Sequence, residues 1–197
     1  MSDPLVPIGD GLTSISPDEQ AELIPTYIAN RGELFAAEQA NIAHATLHLS
    51  PGLDELVDDH YLRRLHLAMF GQVWRWAGRY RRRETNLGID PTAIPVALRD
   101  LCQDVQTWIE GETFEPDEST VRFHHRLVQI HAFVNGNGRH GRIAASLMAR
   151  ALGRPSFSWG ADLDDTTEEL RSKYLTALRR ADVDRDDIGA LLEFARS

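Results

Sequence analysis

The chain is poor in three features that would point to other kinds of protein: cysteine, lysine and long apolar runs. It has a single cysteine, Cys102, among its 197 residues, so an intrachain disulfide and a CxxC metal site are both excluded. No apolar run approaches the roughly 20 residues that a membrane-spanning helix needs, and the N-terminus shows no signal-peptide pattern. We therefore expect a cytoplasmic protein that does not bind membranes.

The charge balance argues against nucleic-acid partners. The chain has 21 basic and 30 acidic residues, and its formal net charge is −9. An acidic protein repels nucleic acid unless its basic residues are concentrated on one surface, so no direct nucleic-acid binding is expected. Lys173 is the sole lysine. Arginine is the better bidentate partner for phosphates, so individual arginines are candidates for phosphate binding.

The apolar pattern predicts an all-α domain with five or more helices and hardly any strand. Apolar residues recur at helical spacing along most of the chain, and Thr166 with Glu169 has the spacing of a capping box. A short hairpin is expected within residues 82–89, where Asn86 and Gly88 interrupt the pattern. The predicted helices cover residues 31–48, 59–71, 94–109, a segment ending near 131, a segment ending near 153, a segment after 166, and 187–196.

Two further segments bear on the architecture. The first 20 residues contain several prolines and glycines and are expected to form an irregular arm. Residues 79–83 form a basic cluster in an acidic chain. That cluster is either a solvated surface or a docking edge for an acidic partner or a phosphate, and the sequence does not decide between the two.

The segment most informative about function is a glycine-rich loop between two helices. Phe123, Leu127 and Ile130 lie on one face of a helix, and the apolar pattern stops at residues 135–138, which read Asn-Gly-Asn-Gly. Such residues favour positive φ angles and do not easily continue a helix. A second apolar helix follows at once and ends at Gly153. The loop therefore leads directly into the N-terminus of a helix.

This loop has the properties of an anion-binding site. Free backbone N–H groups and the helix dipole favour negative charge at a helix N-terminus. Arg139 and Arg142, three residues apart in the first turn, are expected to share a face there, and His131 precedes the loop by four residues. A histidine can act as a base near neutral pH. The combination suggests phosphoryl or nucleotidyl transfer, although a solvated turn between two helices is the alternative.

Three common motifs do not account for these residues. The Walker A pattern GxxxxGK[ST] is absent, and no strand precedes the loop. Gly136, Gly138 and Gly141 match the letters GxGxxG, but no βαβ unit surrounds them. The zinc motif HExxH is also missing. We interpret His124 as a structural hydrogen-bonding residue and His140 as a surface or target-facing residue.

Residues 131–142, His-Ala-Phe-Val-Asn-Gly-Asn-Gly-Arg-His-Gly-Arg, resemble the Fic signature HPFx[D/E]GNGRxxR. Residues 65–80 resemble the segment before the Fic flap, and residues 123–130 resemble the helix that leads into the signature. The similarity extends over residues 55–195. Residues 23–26 and 38–42 resemble the Fic subgroup called mobile mystery protein B.

The resemblance implies a helical Fic fold with a small β-hairpin flap over the site. Residues 55–197 would be the Fic domain, and residues 1–54 an N-terminal arm and helix that is a candidate regulatory segment. The implied activity is transfer of AMP from ATP to a hydroxyl of a target protein. Alternatives are transfer of phosphate or another nucleotide, and a nucleotide-binding module with weakened catalysis.

The resemblance also implies roles for individual residues. His131 would be the general base that takes the proton from the target hydroxyl. The target protein would dock on the flap by strand addition, at Thr85, Asn86 and Leu87. Binding of the nucleotide phosphates would fall to Gly136, Asn137, Gly138, Arg139 and Arg142.

Departures from the family pattern affect the metal and the regulation. Asn135 replaces the acidic residue that normally holds Mg²⁺; an amide oxygen can still bind the ion, but weaker binding is expected. Ala132 replaces the usual proline, which shapes the turn and does not react. No clean inhibitory motif [S/T]xxxE[G/N] is found. Glu33 is the nearest candidate for an inhibitory glutamate, with a solvated helix charge as the alternative. Without an internal inhibitor, a separate antitoxin-like partner is expected.

Overall fold

The computed structural model describes Gly11, Thr13 and residues 15–197, so most of the predicted N-terminal arm lies outside the described residues. The described part contains nine α-helices and one 3₁₀ turn at Pro91–Ala93. None of these helices has the length and apolarity required to cross a bilayer. The helices are α1 (Pro17–Gln20), α2 (Arg31–Thr46), α3 (Leu53–Leu56), α4 (Asp59–Phe70), α5 (Ile94–Glu110), α6 (Pro116–Ile130), α7 (Asn137–Ala151), α8 (Thr167–Val183) and α9 (Gly189–Arg196).

The antiparallel pair α6 and α7, joined by the glycine-rich loop, forms the centre of the fold. On one side α4 and α5 pack against it, and α2 packs on α4; on the other side α8 and α9 cover it. Two apolar cores result, one on each side of the central pair. The predicted all-α fold is confirmed, including the capping box of Thr166 and Glu169 at the start of α8.

Gly141 explains how closely α6 and α7 approach each other. A Cβ atom at this position would lie 3.0 Å from Val128 Cγ2 and 3.2 Å from His124 Nδ1. Both neighbours belong to α6, so a larger residue would push the helices apart. This packing fixes the distance between the two helix ends that meet at the loop.

The N-terminal helices share the main core with the rest of the domain. Leu34 and Ile42 of α2 are buried in that core together with residues of α4. The Asn41 side chain bonds the backbone of Ala68 and Gln72, at 2.9 and 3.0 Å, and so ties α2 to the end of α4. The proposed division between residues 54 and 55 therefore separates segments that pack together, and a regulatory role for the first of them stays a prediction.

The predicted β-hairpin does not form in the flap. Residues 82–89 contain no strand, and the nearest β-type pairing is a single bridge between Tyr80 and Phe133. The guanidinium of Arg81 takes the carbonyl oxygens of Arg83 and Ile89, which a hairpin ladder would otherwise use. The flap is therefore an irregular loop closed by a side chain.

Candidate active site

His131 lies at a sharp corner where α6 ends and the loop begins. It is the C-cap of α6 and adopts left-handed backbone angles, with φ 55° and ψ 56°. A non-glycine residue in this region is uncommon and is retained only where its surroundings hold it. The corner turns the chain out of α6 and into the loop that leads to α7.

Burial keeps the imidazole of His131 neutral. His131 is only 6% exposed. Burial lowers its pKa from the usual 6.5 to about 4, against an opposing hydrogen bond to the Val128 backbone. A backbone bond that raises the pKa of a histidine is one in which the ring donates to a carbonyl, which leaves the other nitrogen as an acceptor. That other nitrogen, Nε2, lies 2.7 Å from Thr13 Oγ1.

The loop after His131 requires glycine at one position and offers open space at another. Gly136 has φ 81°, and a Cβ atom there would lie 2.6 Å from Phe70 Cζ. Gly138, in the first turn of α7, has no atom within 4 Å of such a Cβ. No side chain from the described residues caps this helix end. The backbone N–H groups at the start of α7 are therefore accessible to a ligand.

Two asparagines hold the loop in shape. The Asn137 side chain accepts from the Phe133 amide at 2.9 Å and donates to the Phe133 carbonyl at 2.8 Å. Both polar ends of this buried side chain are thus engaged in holding the loop, and the backbone N–H of Asn137 is the group that faces no bond within the loop. Asn135 Oδ1 accepts from the Gly136 amide at 2.6 Å, and one lone pair of that oxygen remains.

The two predicted phosphate-binding arginines contact different parts of the fold. Arg139 donates to Glu38 Oε2 at 2.7 Å and stacks over Phe70, whose ring centre is 4.9 Å away. Arg142 lies over the ring of Tyr174 in α8, at 5.3 Å. Although they are three residues apart, the side chains are held by helices on opposite sides of α7. Arg139 therefore faces α2 and α4, and Arg142 faces α8.

Glu38 of α2, and not Glu33, is the glutamate that meets the signature. Glu33 is exposed and accepts from the Ala29 amide at 2.7 Å, which caps the N-terminus of α2. Glu38 is 7% exposed and binds both Arg139 and the Trp74 indole, the latter at 2.7 Å. Glu33 thus corresponds to the alternative interpretation, a helix charge at the surface. Helical spacing alone could have indicated Glu38 as an inward-facing acid.

Arg81 is a site residue that the sequence analysis did not identify. It is 2% exposed, although it lies inside the basic cluster of residues 79–83. Its Nε donates to the His131 carbonyl at 2.7 Å, and its other nitrogens donate to Arg83 and Ile89 at the two ends of the flap. Burial lowers the pKa of Arg81. One guanidinium therefore joins the flap to the corner that carries the base.

The flap lies directly over His131. A Cβ atom at Gly88 would lie 2.5 Å from the Cβ of His131, so the backbone of the flap touches this residue. Among the residues predicted to dock a target, Thr85 donates to the Leu87 carbonyl at 2.6 Å and makes a tight turn. Asn86, between them, is exposed. The predicted docking residues are thus beside the base, on a turn and not on a strand.

Five of the described histidines are buried; His125 bonds Asp182 of α8, and the other four, His66, His124, His131 and His140, are called the buried histidines below. His66 bonds the Asn135 carbonyl at 3.0 Å, and His124 bonds the Tyr174 hydroxyl at 2.9 Å, as predicted for a structural residue. Burial lowers the pKa of His124 to about 3 and that of His66 well below its usual value.

The interpretation of His140 as a surface residue was wrong. It is 1% exposed, and its Nε2 bonds the Leu62 carbonyl of α4 at 2.9 Å. Burial lowers its pKa to about 4. The neighbouring arginines made the segment look solvated, but α4 packs on this side of α7 and covers the ring.

The described residues offer few ligands for a metal at the loop. Their one cluster of three histidine or acidic side chains is Asp58, Asp59 and His60, at the start of α4. It shares no residue with the predicted site. At the loop, Asn135 Oδ1 is the predicted ligand atom, which fits an ion held mainly by other oxygen donors such as phosphates.

Comparison with known proteins agrees with this geometry. The family model of the Fic/DOC family matches residues 56–149. The chain is 30% identical over 123 residues to protein adenylyltransferase fic-1 of Caenorhabditis elegans, covering 61% of this chain and 22% of that protein. It is 30% identical over 107 residues to protein adenylyltransferase Fic of Drosophila melanogaster, covering 53% and 20%. The chain thus spans about a fifth of the length of these curated relatives.

Solved structures show the same fold. The BepC protein, a VirB-translocated effector of Bartonella tribocorum with bound AMPPNP, superposes with a TM-score of 0.68 at 16% identity, covering 92% of this chain and 97% of that one. The N-terminal Fic domain of a putative cell filamentation protein of Bartonella quintana, with bound ADP, gives 0.65 at 18% identity, covering 87% and 86%. The helical architecture, the signature at residues 131–142 and the matched family model all agree: residues 56–149 of this chain are similar to the Fic/DOC family.

Proposed function

We propose that this protein is an adenylyltransferase that moves AMP from ATP to a hydroxyl group of a protein. The observation that carries the proposal is a neutral, buried imidazole, His131, at the end of the helix that leads through the loop into an uncapped glycine-rich helix N-terminus. The names of the relatives, protein adenylyltransferases, support the same reaction. The nucleotide-bound Bartonella structures support ATP as the substrate.

The first requirement of this reaction is a base that removes the proton of the attacking hydroxyl. A hydroxyl attacks phosphorus efficiently only if its proton leaves as the new bond forms. His131 Nε2 is an acceptor at neutral pH, because burial holds its pKa near 4 and the ring donates its proton to the Val128 backbone. The hydroxyl oxygen would attack the α-phosphorus, the proton would pass to Nε2, and pyrophosphate would leave.

The phosphates would lie at the N-terminus of α7. The open space above Gly138 admits an α-phosphate oxygen close to the backbone, and the N–H groups of the first turn would bind the charge that develops. Arg139 and Arg142, in the first turns of α7, would bind the outer phosphates. Arg139 would first have to exchange its ion pair with Glu38 for one with phosphate.

We further propose Mg²⁺ as the ion that accompanies ATP. Asn135 is the residue that would hold it, through the free lone pair of Oδ1. When bound, the ion would neutralise negative charge on the phosphates. Because an amide oxygen has no full charge, the substrate's own phosphates would be the stronger ligands.

The target would be a second protein that docks on the flap at Thr85, Asn86 and Leu87. This turn adjoins His131 through Gly88, so a segment bound there would present its hydroxyl close to Nε2. A cytoplasmic location, a separate antitoxin-like regulator and membership of the mobile mystery protein B subgroup stay predictions from the sequence.

The test uses ATP labelled at the α- or the γ-phosphate, bacterial lysate as a source of targets, and the full chain. Protein bands labelled only from the α position, and lost in His131→Ala, are expected. His44→Ala, a change at an exposed histidine of α2, is the matched control and should label like wild type. Label from the γ position would instead mean phosphate transfer. Absence of label with retained ATP binding would mean a nucleotide-binding module.

Arg142→Ala provides a second arm of this test. Loss of the Arg142 side chain should weaken binding of ATP much more than binding of AMP, because this side chain would contact the outer phosphates. Titration of each nucleotide against wild type and variant measures the two affinities. Equal losses for both nucleotides would contradict the placement of the triphosphate along the start of α7.

A further inference from the structure

A hydroxyl group of the protein itself already lies at the proposed base. Thr13 Oγ1 is 2.7 Å from His131 Nε2, a contact between residues 118 positions apart in the chain. Thr13 is 7% exposed. In the tautomer whose other ring nitrogen donates to the Val128 backbone, Nε2 accepts, and the Thr13 hydroxyl is the donor. This is the hydrogen bond that an attacking hydroxyl makes with its general base.

The chain is anchored on both sides of Thr13. On the N-terminal side, Gly11 packs so tightly on Leu175 of α8 that a Cβ atom would lie 2.6 Å from Leu175 Cδ2. On the C-terminal side, Glu19 forms an ion pair with Arg83 of the flap at 2.7 Å. The carbonyl of Glu19 also accepts from the Trp76 indole at 3.2 Å. Gly11 and Glu19, which lie on either side of Thr13 in the sequence, thus contact α8 and the flap.

The local order of this segment supports a specific placement of Thr13. Ser16 and Glu19 form a complete capping box at the start of α1, so the backbone three residues after Thr13 has a defined conformation. A tethered hydroxyl held in hydrogen-bonding distance of its base has a very high effective concentration. A target protein in solution would have to compete with it.

We propose that Thr13 is a self-modification site, to which the protein transfers AMP from ATP within the same molecule. This proposal rests on the proposed function. The Thr13 Oγ–H bond breaks and its proton moves to His131 Nε2, while Oγ forms a bond to the α-phosphorus. The bond from the α-phosphorus to the oxygen that bridges to the β-phosphate breaks, and pyrophosphate leaves with that electron pair. The product is a phosphodiester between Thr13 and AMP.

Before modification, Thr13 also occupies the acceptor atom that a target hydroxyl needs. Modified Thr13 has no Oγ–H to donate, so it can no longer make this hydrogen bond to Nε2. Self-modification would therefore remove the Thr13 hydrogen bond from Nε2 of His131. The same residue is thus both the first substrate and a competitor of later substrates.

The experiment incubates the purified full chain with α-labelled ATP, with and without lysate, and maps the label by tandem mass spectrometry. Thr13→Val removes the hydroxyl at similar volume, and Thr13→Ser keeps a hydroxyl. Thr26→Val changes an exposed threonine of the same N-terminal region and is the matched control. Added His131→Ala protein, distinguishable by a tag, reports transfer between molecules.

The expected result is an AMP adduct on Thr13 in wild type, Thr13→Ser and Thr26→Val, with loss of self-label in Thr13→Val to the level of His131→Ala. The self-labelling rate constant should not depend on protein concentration, and the added His131→Ala protein should stay unlabelled. Self-label at another residue, or label on the added inactive protein, would overturn the proposal. Lysate labelling without self-label would overturn it while leaving the proposed function intact; no α-label on any protein would overturn both.

Discussion

The sharpest prediction concerns two glycines, Gly136 and Gly138, whose replacement by alanine should have opposite effects on stability. At Gly136, φ is 81° and the new Cβ would lie 2.6 and 2.7 Å from two ring atoms of Phe70. Left-handed angles cost alanine about 1–2 kcal/mol, and a forced contact in a packed core costs about 1–3 kcal/mol more. Phe70 is fully buried and has little room to move. Gly136→Ala should therefore lower the free energy of unfolding by about 2–5 kcal/mol.

Gly138→Ala should stabilise the fold and yet impair function. Gly138 lies in α7, and no atom lies within 4 Å of the added methyl group. Alanine in a helix is more favourable than glycine by about 0.5–1 kcal/mol, so the free energy of unfolding should rise by up to that amount. The methyl group would fill the space through which the α-phosphate approaches the backbone. We expect ATP affinity to fall at least about tenfold, or roughly 1.4 kcal/mol.

Urea unfolding followed by circular dichroism measures the free energy of unfolding, and calorimetric titration measures the affinity for ATP. Gly136→Ala must be compared at a temperature where it is still folded. If Gly138→Ala bound ATP like wild type, no phosphate would approach that backbone, and the proposed nucleotide site would be wrong. If Gly136→Ala were as stable as wild type, the tight contact between the loop and Phe70 would be wrong.

Three further predictions concern charge. Glu38→Gln should keep the bond to Trp74 but release Arg139 from its ion pair, so ATP affinity should rise. Glu33→Gln, at the exposed N-terminus of α2, is the control and should leave ATP affinity unchanged. Unchanged ATP affinity in both variants would mean that Arg139 does not bind phosphate. Asn135→Asp should lower the Mg²⁺ concentration for half-maximal transfer roughly fivefold or more, about 1 kcal/mol for the added charge; an unchanged requirement would contradict a metal ligand at this position. The buried histidines have lowered pKa values, so below the ordinary value of 6.5 the unfolded chain binds more protons than the folded one. Stability should be complete above about pH 6.5 and fall by up to about 1.4 kcal/mol per pH unit for each histidine as the pH drops toward 4, and a flat profile of urea midpoints would contradict their burial as neutral rings.

The parts of the site that follow from local sequence could be predicted. Helical periodicity placed the end of α6 near His131, and the glycines of residues 135–138 marked the loop because they interrupt that periodicity. The helices and their approximate ends follow for the same reason. A local pattern specifies which residues share a face and where a helix must stop.

The partners of these residues could not be predicted in the same way. Glu38 and Arg139 are 101 positions apart, and nothing in the helix pattern of α2 states which helix will lie opposite. His140 looked solvated among arginines because the covering carbonyl, that of Leu62, comes from another helix. The hairpin predicted for the flap does not form, because the carbonyl oxygens of its two ends accept from a side chain, Arg81, and not from a second strand.

The position of Arg81 has a thermodynamic consequence. Its guanidinium bonds the two ends of the flap and the carbonyl of His131 at once, and its own amide bonds the Ala132 carbonyl at 3.0 Å. A protein segment that shifts the flap must therefore shift the corner that orients the imidazole. Two ligands that act on one such element are coupled, and the coupling free energy is the same in both directions. Docking of a target on the flap should thus alter ATP affinity by the same factor by which ATP alters affinity for the target.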